Sequence, residues 1–421
     1  MSDRVCAYAG VDWGSQNHCV FLSDSEGLKI GERVFKHSGE GLAEMADWLM
    51  RTSRAEEPGQ VFVAIEVPHG PVVEALIERG FCVHAINPKQ MDRFRDRFSM
   101  SGAKDDSRDA EVAASSLRTD ARCFRRLTAS DPVIVEVREW SRIADELSVE
   151  RNRLANRLRE QLWRYFPALL ELETDVGAEW LLAFLDLAPT PARASRLRES
   201  TLARLLKERR IRRLDAATIL RAVRVSPPRL SPGTTEAASA HVASLIPRLR
   251  LVNRQLRDAE RRLEVLTQGL MAPEDGDPAP DSEPGPKKPR DAAIFASMPG
   301  VGTNVLAAFI AEAPDALQRR DHAALRSLTG VAPVTKRSGK SCTVLRRQAC
   351  NQRLANAAYH WARVAIQHDP RSRAKYAELK KRGHSHGRAL RSVADRLLNV
   401  VCAMLRSGRL FDLEFATQKS T

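Results

Sequence analysis

The amino-acid sequence predicts an α/β domain, a long helical stalk and a mainly α C-terminal domain. Three observations lead to this prediction. Short β-rich runs alternate with helical patterns early in the chain, two amphipathic helices with leucine spacing follow, and a segment rich in proline and acids precedes a final helical region. We therefore divide the chain into residues 1–130, 131–270, 271–290 and 291–415.

The N-terminal domain has short runs rich in Val, Ile, Phe and Tyr, a composition typical of strands. These runs read VCAYAGVDW, HCVFLSD, VFVAIEV and FCVHAI, and helical patterns occur around Gly41–Arg51 and Pro71–Arg79. Three early strands followed by alternating helices and strands predict a mixed sheet with an antiparallel edge.

Two amphipathic helices make up the predicted coiled-coil stalk. The first spans about Pro132 to Phe166, and the second follows short helices and loops in residues 167–235. Apolar residues recur at spacings of three, four and seven, namely Ile143, Leu147, Leu154, Leu158 and Leu162, then Leu245, Leu249, Val252, Leu256, Ala259, Leu263 and Leu266. Pro247 predicts that the regular part of the second helix begins there or bends. The two helices can pair antiparallel with each other or with another protomer.

The segment 271–290, MAPEDGDPAPDSEPGPKKPR, has too few apolar residues to fold and is predicted to be a disordered linker. The helical region beyond it opens with IFASMPGVGTNVLAAFIAEA, a pattern typical of a helix-hairpin-helix turn. In such a turn Gly300 and Gly302 would bring backbone amides close to a phosphate at a helix N-terminus. The alternative is a tight interhelical turn that binds nothing.

Composition favours a nucleic-acid partner. Lysine and arginine total 67 against 53 acids, which gives a formal net charge of +14 and a pI near 9.8. We expect a cytoplasmic protein without a membrane partner, since the sequence has neither a bilayer-length apolar run nor a secretion signal. Seven scattered cysteines without a CxxC pair predict neither a disulfide framework nor a zinc site.

Four carboxylates form an ordered set along the chain. Asp12 and Glu66 each end an apolar strand, whereas Asp106 and Asp109 stand three residues apart at the start of a helix. Taken singly, each is more often a turn residue or part of a solvated face. Together they predict a cluster, and hard oxygen ligands of this kind select Mg²⁺ or Mn²⁺. Paired ions of this type assist phosphodiester transfer.

The order Asp, Glu, then KxDxxDA resembles the DEDD transposases of the insertion sequence 110 group, whose first domain is RuvC-like with an RNase H fold. The motif corresponds to Asp12, Glu66, Asp106 and Asp109. Asp105 adjoins it, but Asp106 keeps the three-residue spacing to Asp109. The resemblance implies that these four acids are catalytic metal ligands.

The C-terminal region carries the second part of the resemblance, PGVG, then GVAP, then Ser-Gly followed by an arginine-rich segment. The family's nucleophilic serine falls on Ser338, whereas composition alone leaves Ser341 and Thr335 equally open. A serine hydroxyl can attack a phosphodiester and conserve the bond as a phosphoserine link. Relatives carry Gly-Asn before the next helix, and Cys350-Asn351 stands here instead, which leaves the local loop geometry open.

Several residues in and beside these motifs are candidates for nucleic-acid contact. Besides Gly300 and Gly302, they are Lys104, Arg108, Lys336, Arg337, Lys340, Arg346 and Arg347.

The resemblance covers about residues 5–125 and 291–405 and also implies partners. Donor and target DNA would be selected by a structured noncoding guide RNA, the bridge RNA, whose loops pair with both. The carboxylates of one protomer and the serine of another would form composite active sites in a homo-oligomer, a dimer of dimers.

Three rival functions differ in features that the sequence shows. A metal-dependent Holliday-junction-type endonuclease using water would need the acids but not Ser338. A sugar-kinase-like phosphotransferase, suggested by GVDWG, would need a second glycine-rich half that residues 132–270 do not offer. A catalytically inactive regulator is disfavoured by the presence of all four acids and the serine.

Overall fold

The computed structural model describes residues 5–98, 105–128, 131–226, 228–272, 290–339 and 341–412. The chain divides into two compact units, Met1–Asp131 and Pro132–Thr421. Nearly all of the predicted linker, residues 273–289, lies outside the described residues, and the four-part division of the chain stays a prediction.

The first unit is built on a six-stranded mixed sheet. Its strands are β1 (Ala7–Trp13), β2 (Asn17–Asp24), β3 (Lys29–Lys36), β4 (Val61–Ile65), β5 (Cys82–Ala85) and β6 (Arg125–Arg126). They lie in the order β3-β2-β1-β4-β5-β6, with β1–β4 and β4–β5 parallel and the other pairs antiparallel. The predicted mixed sheet with an antiparallel edge is confirmed, and it is consistent with an RNase H-like fold.

Helices cover both faces of this sheet. They are α1 (Gly39–Ser53), α2 (Pro71–Glu78), α3 (Pro88–Phe98) and α4 (Asp106–Thr119), with 3-10 turns at Pro58–Gln60 and Ala121–Cys123. Ala7, Ala9 and Val11 of β1 pack in one apolar cluster with α1 and α2. Because side chains alternate along a strand, Gly10 and Asp12 face the opposite side, where α4 packs.

The second unit begins with a pair of long helices, α5 (Pro132–Tyr165) and the later α11 (Thr234–Met271). Between them are α6 (Ala168–Leu172), α7 (Glu179–Leu187), α8 (Pro191–Ala194), α9 (Glu199–Glu208) and α10 (Ala216–Val223). Arg262 Nε donates to Glu136 at 2.9 Å, and Arg151 Nε donates to Asn253 at 2.8 Å. These contacts show that α5 and α11 run antiparallel within one chain.

The helix α11 begins at Thr234 and continues through Pro247, so the expected start near the proline is wrong, whereas a bend there stays a prediction. Proline removes one backbone hydrogen bond from the helix. Burial of Leu245, Ile246 and Leu249 on the shared core offsets that loss. Tertiary packing therefore outweighs the local preference.

The C-terminal part is mainly helical and includes one hairpin. Its elements are α12 (Asp291–Ala296), α13 (Thr303–Glu312), α14 (Pro314–Gln318), α15 (His322–Leu328), β7 (Val334–Ser338), β8 (Ser341–Leu345), α16 (Gln352–His368), α17 (Pro370–Lys381) and α18 (His386–Ser407). Phe295, Phe309 and Trp361 are the largest buried side chains of its core. None of the described helices has the length and apolarity needed to cross a bilayer.

Candidate active site

A close contact between β1 and α4 positions the first turn of α4, which carries Asp106 and Asp109, relative to Asp12 of β1. A Cβ on Gly10 would lie 1.9 Å from the carbonyl oxygen of Ala110 and 2.8 Å from the amide nitrogen of Ala114. Only glycine allows the helix backbone to lie this close to the strand. The first turn of α4 is thereby held beside the end of β1.

The four predicted acids come from three elements that meet at this end. Asp12 lies in β1 and Glu66 directly follows β4, and these parallel strands are paired with Val11 opposite Ile65. Both carboxylates therefore leave the same edge of the sheet. Asp106 and Asp109 occupy the first turn of α4, where Asp109 is buried and Asp106 is exposed.

Arg95 of α3 supplies positive charge to two of these acids. Its Nε and Nη2 donate to the two carboxylate oxygens of Asp109 at 2.7 and 2.9 Å, and its Nη2 lies 3.8 Å from Glu66 Oε2. Nη1 also donates to Asp92 at 2.6 Å. The hydrogen bonds to Asp109 raise the pKa of the guanidinium. Arg95 is not among the residues predicted from the sequence, because nothing in PKQMDRFRDRF indicates that its partner lies on the next helix.

The other two acids act on a common neighbour, the thiol of Cys19, which is paired with Asp12 across β1 and β2. Burial raises the pKa of Cys19 to about 11, and nearby negative charges act in the same direction. These charges belong to Glu32, Asp12, Asp106 and Asp105. The charges of Asp12 and Asp106 therefore both act on the Cys19 thiol, whereas Glu66 and Asp109 both interact with the Arg95 guanidinium.

The donor set suits a hard divalent cation in its chemistry, since every donor is a carboxylate. Within the described ranges, however, no group of three or more His, Cys, Asp or Glu side chains is already placed to hold a metal ion. Arg95 partly explains why these acids are not gathered around one point, because its guanidinium neutralises Glu66 and Asp109. For these two acids to hold a metal ion, their carboxylates would exchange the guanidinium for it.

Ser338 lies at the tip of an exposed β-hairpin. It ends β7 and is paired with Ser341 of β8, and Gly339 in the two-residue loop has φ +55°. Two-residue hairpin loops favour residues with positive φ. The sequence prediction for this segment was a basic loop. A hairpin could have been predicted from the two short runs with Val and Thr on either side of a glycine-containing dipeptide.

The predicted phosphate-contact residues fall in several places. Lys336 and Arg337 are exposed on β7, Arg346 and Arg347 follow β8, and Arg108 is exposed on α4. Lys104 and Lys340 lie outside the described residues.

The two glycines of the PGVG turn have different surroundings. Gly300 has φ +83°, and a Cβ there would lie 2.8 Å from the amide nitrogen of Ala365 and 3.1 Å from the carbonyl oxygen of Trp361. Gly302 is the N-cap of α13 and would have open space around a Cβ. Gly300 thus allows the turn to pack on α16, and only Gly302 has the room that a ligand would need.

The Cys350-Asn351 departure has a structural explanation. Asn351 Oδ1 accepts hydrogen bonds from the backbone amides of Arg353 and Leu354 at 3.0 and 3.1 Å, which caps α16. Its Nδ2 donates to Glu312 at 2.9 Å. Cys350 packs against Gly330, where a Cβ would lie 2.9 Å from the Cys350 sulfur. The asparagine therefore caps the helix here, and Gly330 makes room for the cysteine.

A mixed sheet with acids at its strand ends suits a transposase domain of the DEDD type, and comparisons with known proteins match that type of domain. Residues 9–167 match the DEDD transposase domain of the IS110 type, and residues 292–377 match the domain described as "Transposase IS116/IS110/IS902 family". This chain belongs to the IS110 family of transposases. Membership of that family implies an enzyme that cuts and rejoins DNA, and its DEDD domain suggests dependence on a divalent metal.

Several relatives carry corresponding names. A protein of Sinorhizobium fredii named as a transposase is 72% identical over 216 residues, which cover 51% of this chain and 60% of that relative. The mini-circle IS117 transposase of Streptomyces coelicolor is 30% identical over 97% of this chain and 96% of its own length. An IS116 insertion-element protein of Streptomyces clavuligerus is 29% identical, with the same coverage of both chains.

Proposed function

We propose that this protein is a DNA recombinase that joins its substrate strand covalently to Ser338, assisted by divalent ions held by the four acids. The observation that carries the proposal is the convergence of Asp12, Glu66 and the first turn of α4 at one end of a mixed sheet. Phosphodiester chemistry needs several carboxylates that can gather around metal ions, and three elements of the fold bring such residues to this end of the sheet.

The acids contribute charge and position. Bound Mg²⁺ or Mn²⁺ would stabilise the charge that develops on the phosphate oxygens. Asp12, Glu66, Asp106 and Asp109 would hold the ions, and the buried place of Asp109 fixes one donor firmly. Arg95, released from Glu66 and Asp109, would be free to bind a phosphate oxygen.

The serine step conserves the energy of the broken bond. The Ser338 oxygen forms a bond to phosphorus, the bond from phosphorus to one deoxyribose oxygen breaks, and the serine proton passes to that released oxygen. An incoming deoxyribose hydroxyl reverses the step and frees Ser338. The exposed hairpin tip gives a bulky duplex access to the hydroxyl.

The proposal includes the partners that the family resemblance implies. A structured noncoding bridge RNA pairs with donor and target DNA and so selects the sites. A dimer of dimers brings the acids of one protomer to the serine of another, and the reaction takes place in the cytoplasm. The net charge of +14 supports binding of both nucleic acids.

Purified protein incubated with its flanking noncoding RNA, Mg²⁺ and DNA carrying the element ends tests the mechanism. A covalent protein–DNA adduct on a denaturing gel is the readout. We expect Ser338→Ala and Asp12→Ala to abolish the adduct. The matched control is Ser341→Ala, which removes the cross-strand neighbour's hydroxyl and should leave the adduct intact.

Cleavage without an adduct that survives Ser338→Ala would overturn the serine mechanism in favour of the water-using endonuclease. An adduct that is lost with Ser341→Ala and kept with Ser338→Ala would identify Ser341 of β8 as the nucleophile. Omission of the RNA tests guidance, since we expect no adduct at specific sites without it.

Mixing the two inactive variants tests the composite active site. Hetero-oligomers of Asp12→Ala and Ser338→Ala contain some sites with intact acids from one protomer and an intact serine from another. We therefore expect partial recovery of the adduct. If every site were built within one protomer, the mixture would stay inactive.

A further inference from the structure

A small cavity between α16, α18 and the segment after β8 is lined by arginines. Its volume is about 140 Å³, and Arg346, Arg347 and Arg391 contribute to its wall together with Tyr359. An apolar protein cavity of similar size takes up benzene, and a phosphate group is no larger. None of the described residues that line the cavity is an acid.

The arginines of the C-terminal part differ in whether they pair with a carboxylate. Arg320, Arg326, Arg353 and Arg382 form ion pairs with carboxylates. In contrast, no ion pair with a described carboxylate involves Arg346, Arg388 or Arg391. Three neighbouring guanidiniums are therefore left without a counter-ion among the described residues.

The surroundings of Arg391 disfavour the charged form of its guanidinium. Burial lowers the pKa of its guanidinium, and the charges of Arg346 and Arg388 lower it further. Partly buried like charges destabilise a fold unless an anion neutralises them. An anion bound between these guanidiniums would relieve the repulsion, and arginine's planar fork matches phosphate.

Tyr359 adds an aromatic surface at the same cavity. Its side chain is 40% exposed, and its ring meets that of His386 edge-on at 6.4 Å between centroids. His386 is held in turn by a hydrogen bond of 2.8 Å between its Nδ1 and the hydroxyl of Tyr376. An exposed ring beside a basic pocket is what unpaired bases stack on in nucleic-acid-binding proteins.

We propose that this cavity binds a phosphate of an unpaired nucleic-acid strand, with the adjacent base stacked on Tyr359. Arg346 and Arg347 follow the end of β8, where Leu345 is paired with Val334 at the foot of the hairpin. Ser338 stands four residues farther along β7, roughly 14 Å away at the rise of an antiparallel strand. The bound phosphate is therefore an anchor, and a different phosphate reaches the serine.

The anchoring role rests on the proposed function, but strand binding itself does not. Fluorescence anisotropy of a labelled single-stranded oligonucleotide, titrated with full-length protein over a series of salt concentrations, measures it. We expect Arg391→Gln to weaken binding about tenfold and to reduce the slope of log affinity against log salt by about one. The matched control is Arg396→Gln, an equal loss of charge at an exposed position of α18 outside the cavity, and it should change neither value.

Two further measurements separate ligand binding from folding. Arg391→Gln removes an unneutralised charge, so its Tm should equal or exceed that of the wild type. Inorganic pyrophosphate should raise the Tm of the wild type and not that of the variant. If Arg391→Gln misfolds, the binding test is repeated with Arg388→Gln, which removes an exposed arginine whose charge acts on Arg391.

The stacking component is tested with Tyr359→Ala. We expect about tenfold weaker binding of the single strand and unchanged binding of an abasic strand of equal length. Equal effects of Arg391→Gln and Arg396→Gln would overturn the cavity as the phosphate site, as would stabilisation by pyrophosphate that persists in Arg391→Gln. Equal loss on both strands with Tyr359→Ala would overturn the stacked base. The anisotropy measurement involves no cleavage step, so failure of this inference is distinguishable from failure of the serine mechanism.

Discussion

Arg95 holds both carboxylate oxygens of Asp109, with Nε to Oδ1 at 2.7 Å and Nη2 to Oδ2 at 2.9 Å. Asp109 is 3% exposed, so this guanidinium is the main compensation for burying its charge. The pair therefore links the stability of the first unit to the occupancy of the proposed metal site.

Replacing Arg95 with alanine should lower the free energy of unfolding by about 1–3 kcal/mol, because a buried carboxylate loses its charged donors. Mg²⁺ should then raise the Tm of Arg95→Ala more than that of the wild type, since the ion supplies the missing charge. Thermal unfolding with and without Mg²⁺ measures both effects. Arg79→Ala is the control, because Arg79 pairs with Asp47 at the surface and should contribute less than about 1 kcal/mol. A Mg²⁺ effect equal in wild type and Arg95→Ala would contradict the exchange.

Adding a methyl group at Gly10 should separate β1 from α4. Gly10→Ala would place its Cβ against the Ala110 carbonyl, and overpacking of this kind costs about 1–3 kcal/mol or more. We expect lower stability in urea unfolding and loss of DNA cleavage, because the first turn of α4 carries two of the acids. Gly39→Ala, where a Cβ meets only open space, should leave both unchanged. Full cleavage by Gly10→Ala would show that this contact does not position the acids.

Glu312 links the C-terminal core to α5. Its side chain is 10% exposed and lies 3.2 Å from Arg353 and 3.5 Å from Arg142, and it also accepts the hydrogen bond from Asn351. Glu312→Gln should cost about 1–3 kcal/mol, because two half-buried guanidiniums lose their shared carboxylate. Chemical unfolding measures the loss. Glu378→Gln, which changes an exposed ion-paired glutamate on α17, should leave stability unchanged within error.

Acid should destabilise the first unit through His18 and His84. Burial lowers the pKa of both rings, helped by His37 in the first case and opposed by a hydrogen bond to the Cys82 carbonyl in the second. The unfolded chain takes up these protons near pH 6.5 and the folded chain only at lower pH. The stabilisation is thus complete above pH 6.5 and is lost as the pH falls through the folded-state pKa values.

Urea unfolding at a series of pH values between 7.5 and 5 measures this loss. His18→Gln should have a shallower dependence on pH than the wild type, since one of the two protons no longer takes part. His241→Gln, at an exposed position of α11, serves as the control. A pH dependence identical in the wild type and His18→Gln would exclude His18 as a contributor.

The positions of Asp12 and Glu66 at the sheet could be predicted, because they follow from side-chain alternation and strand pairing. Alternation along β1 fixes the face of Asp12, and parallel pairing brings Glu66 to the same edge. Arg95 could not be predicted, since its bond to Asp109 depends on how α3 and α4 pack. The same holds for Arg391, whose neighbour Arg346 lies far away in sequence and beside it in space. Pro247 shows the opposite case, because its local signal for a helix start there is wrong and α11 begins at Thr234.

Because α5 and α11 are antiparallel, the start of α5 and the end of α11 lie at the same end of the helix pair. Ile134 and Met271 both pack against the C-terminal core, whereas Leu158 and Leu245 belong to a separate core at the other end. At 1.5 Å per residue, the 34 residues of α5 extend over roughly 50 Å. The small helices α6 to α10 are thus carried at the far end of an arm. Matched insertions in α5 and α11 would move them farther from the C-terminal core.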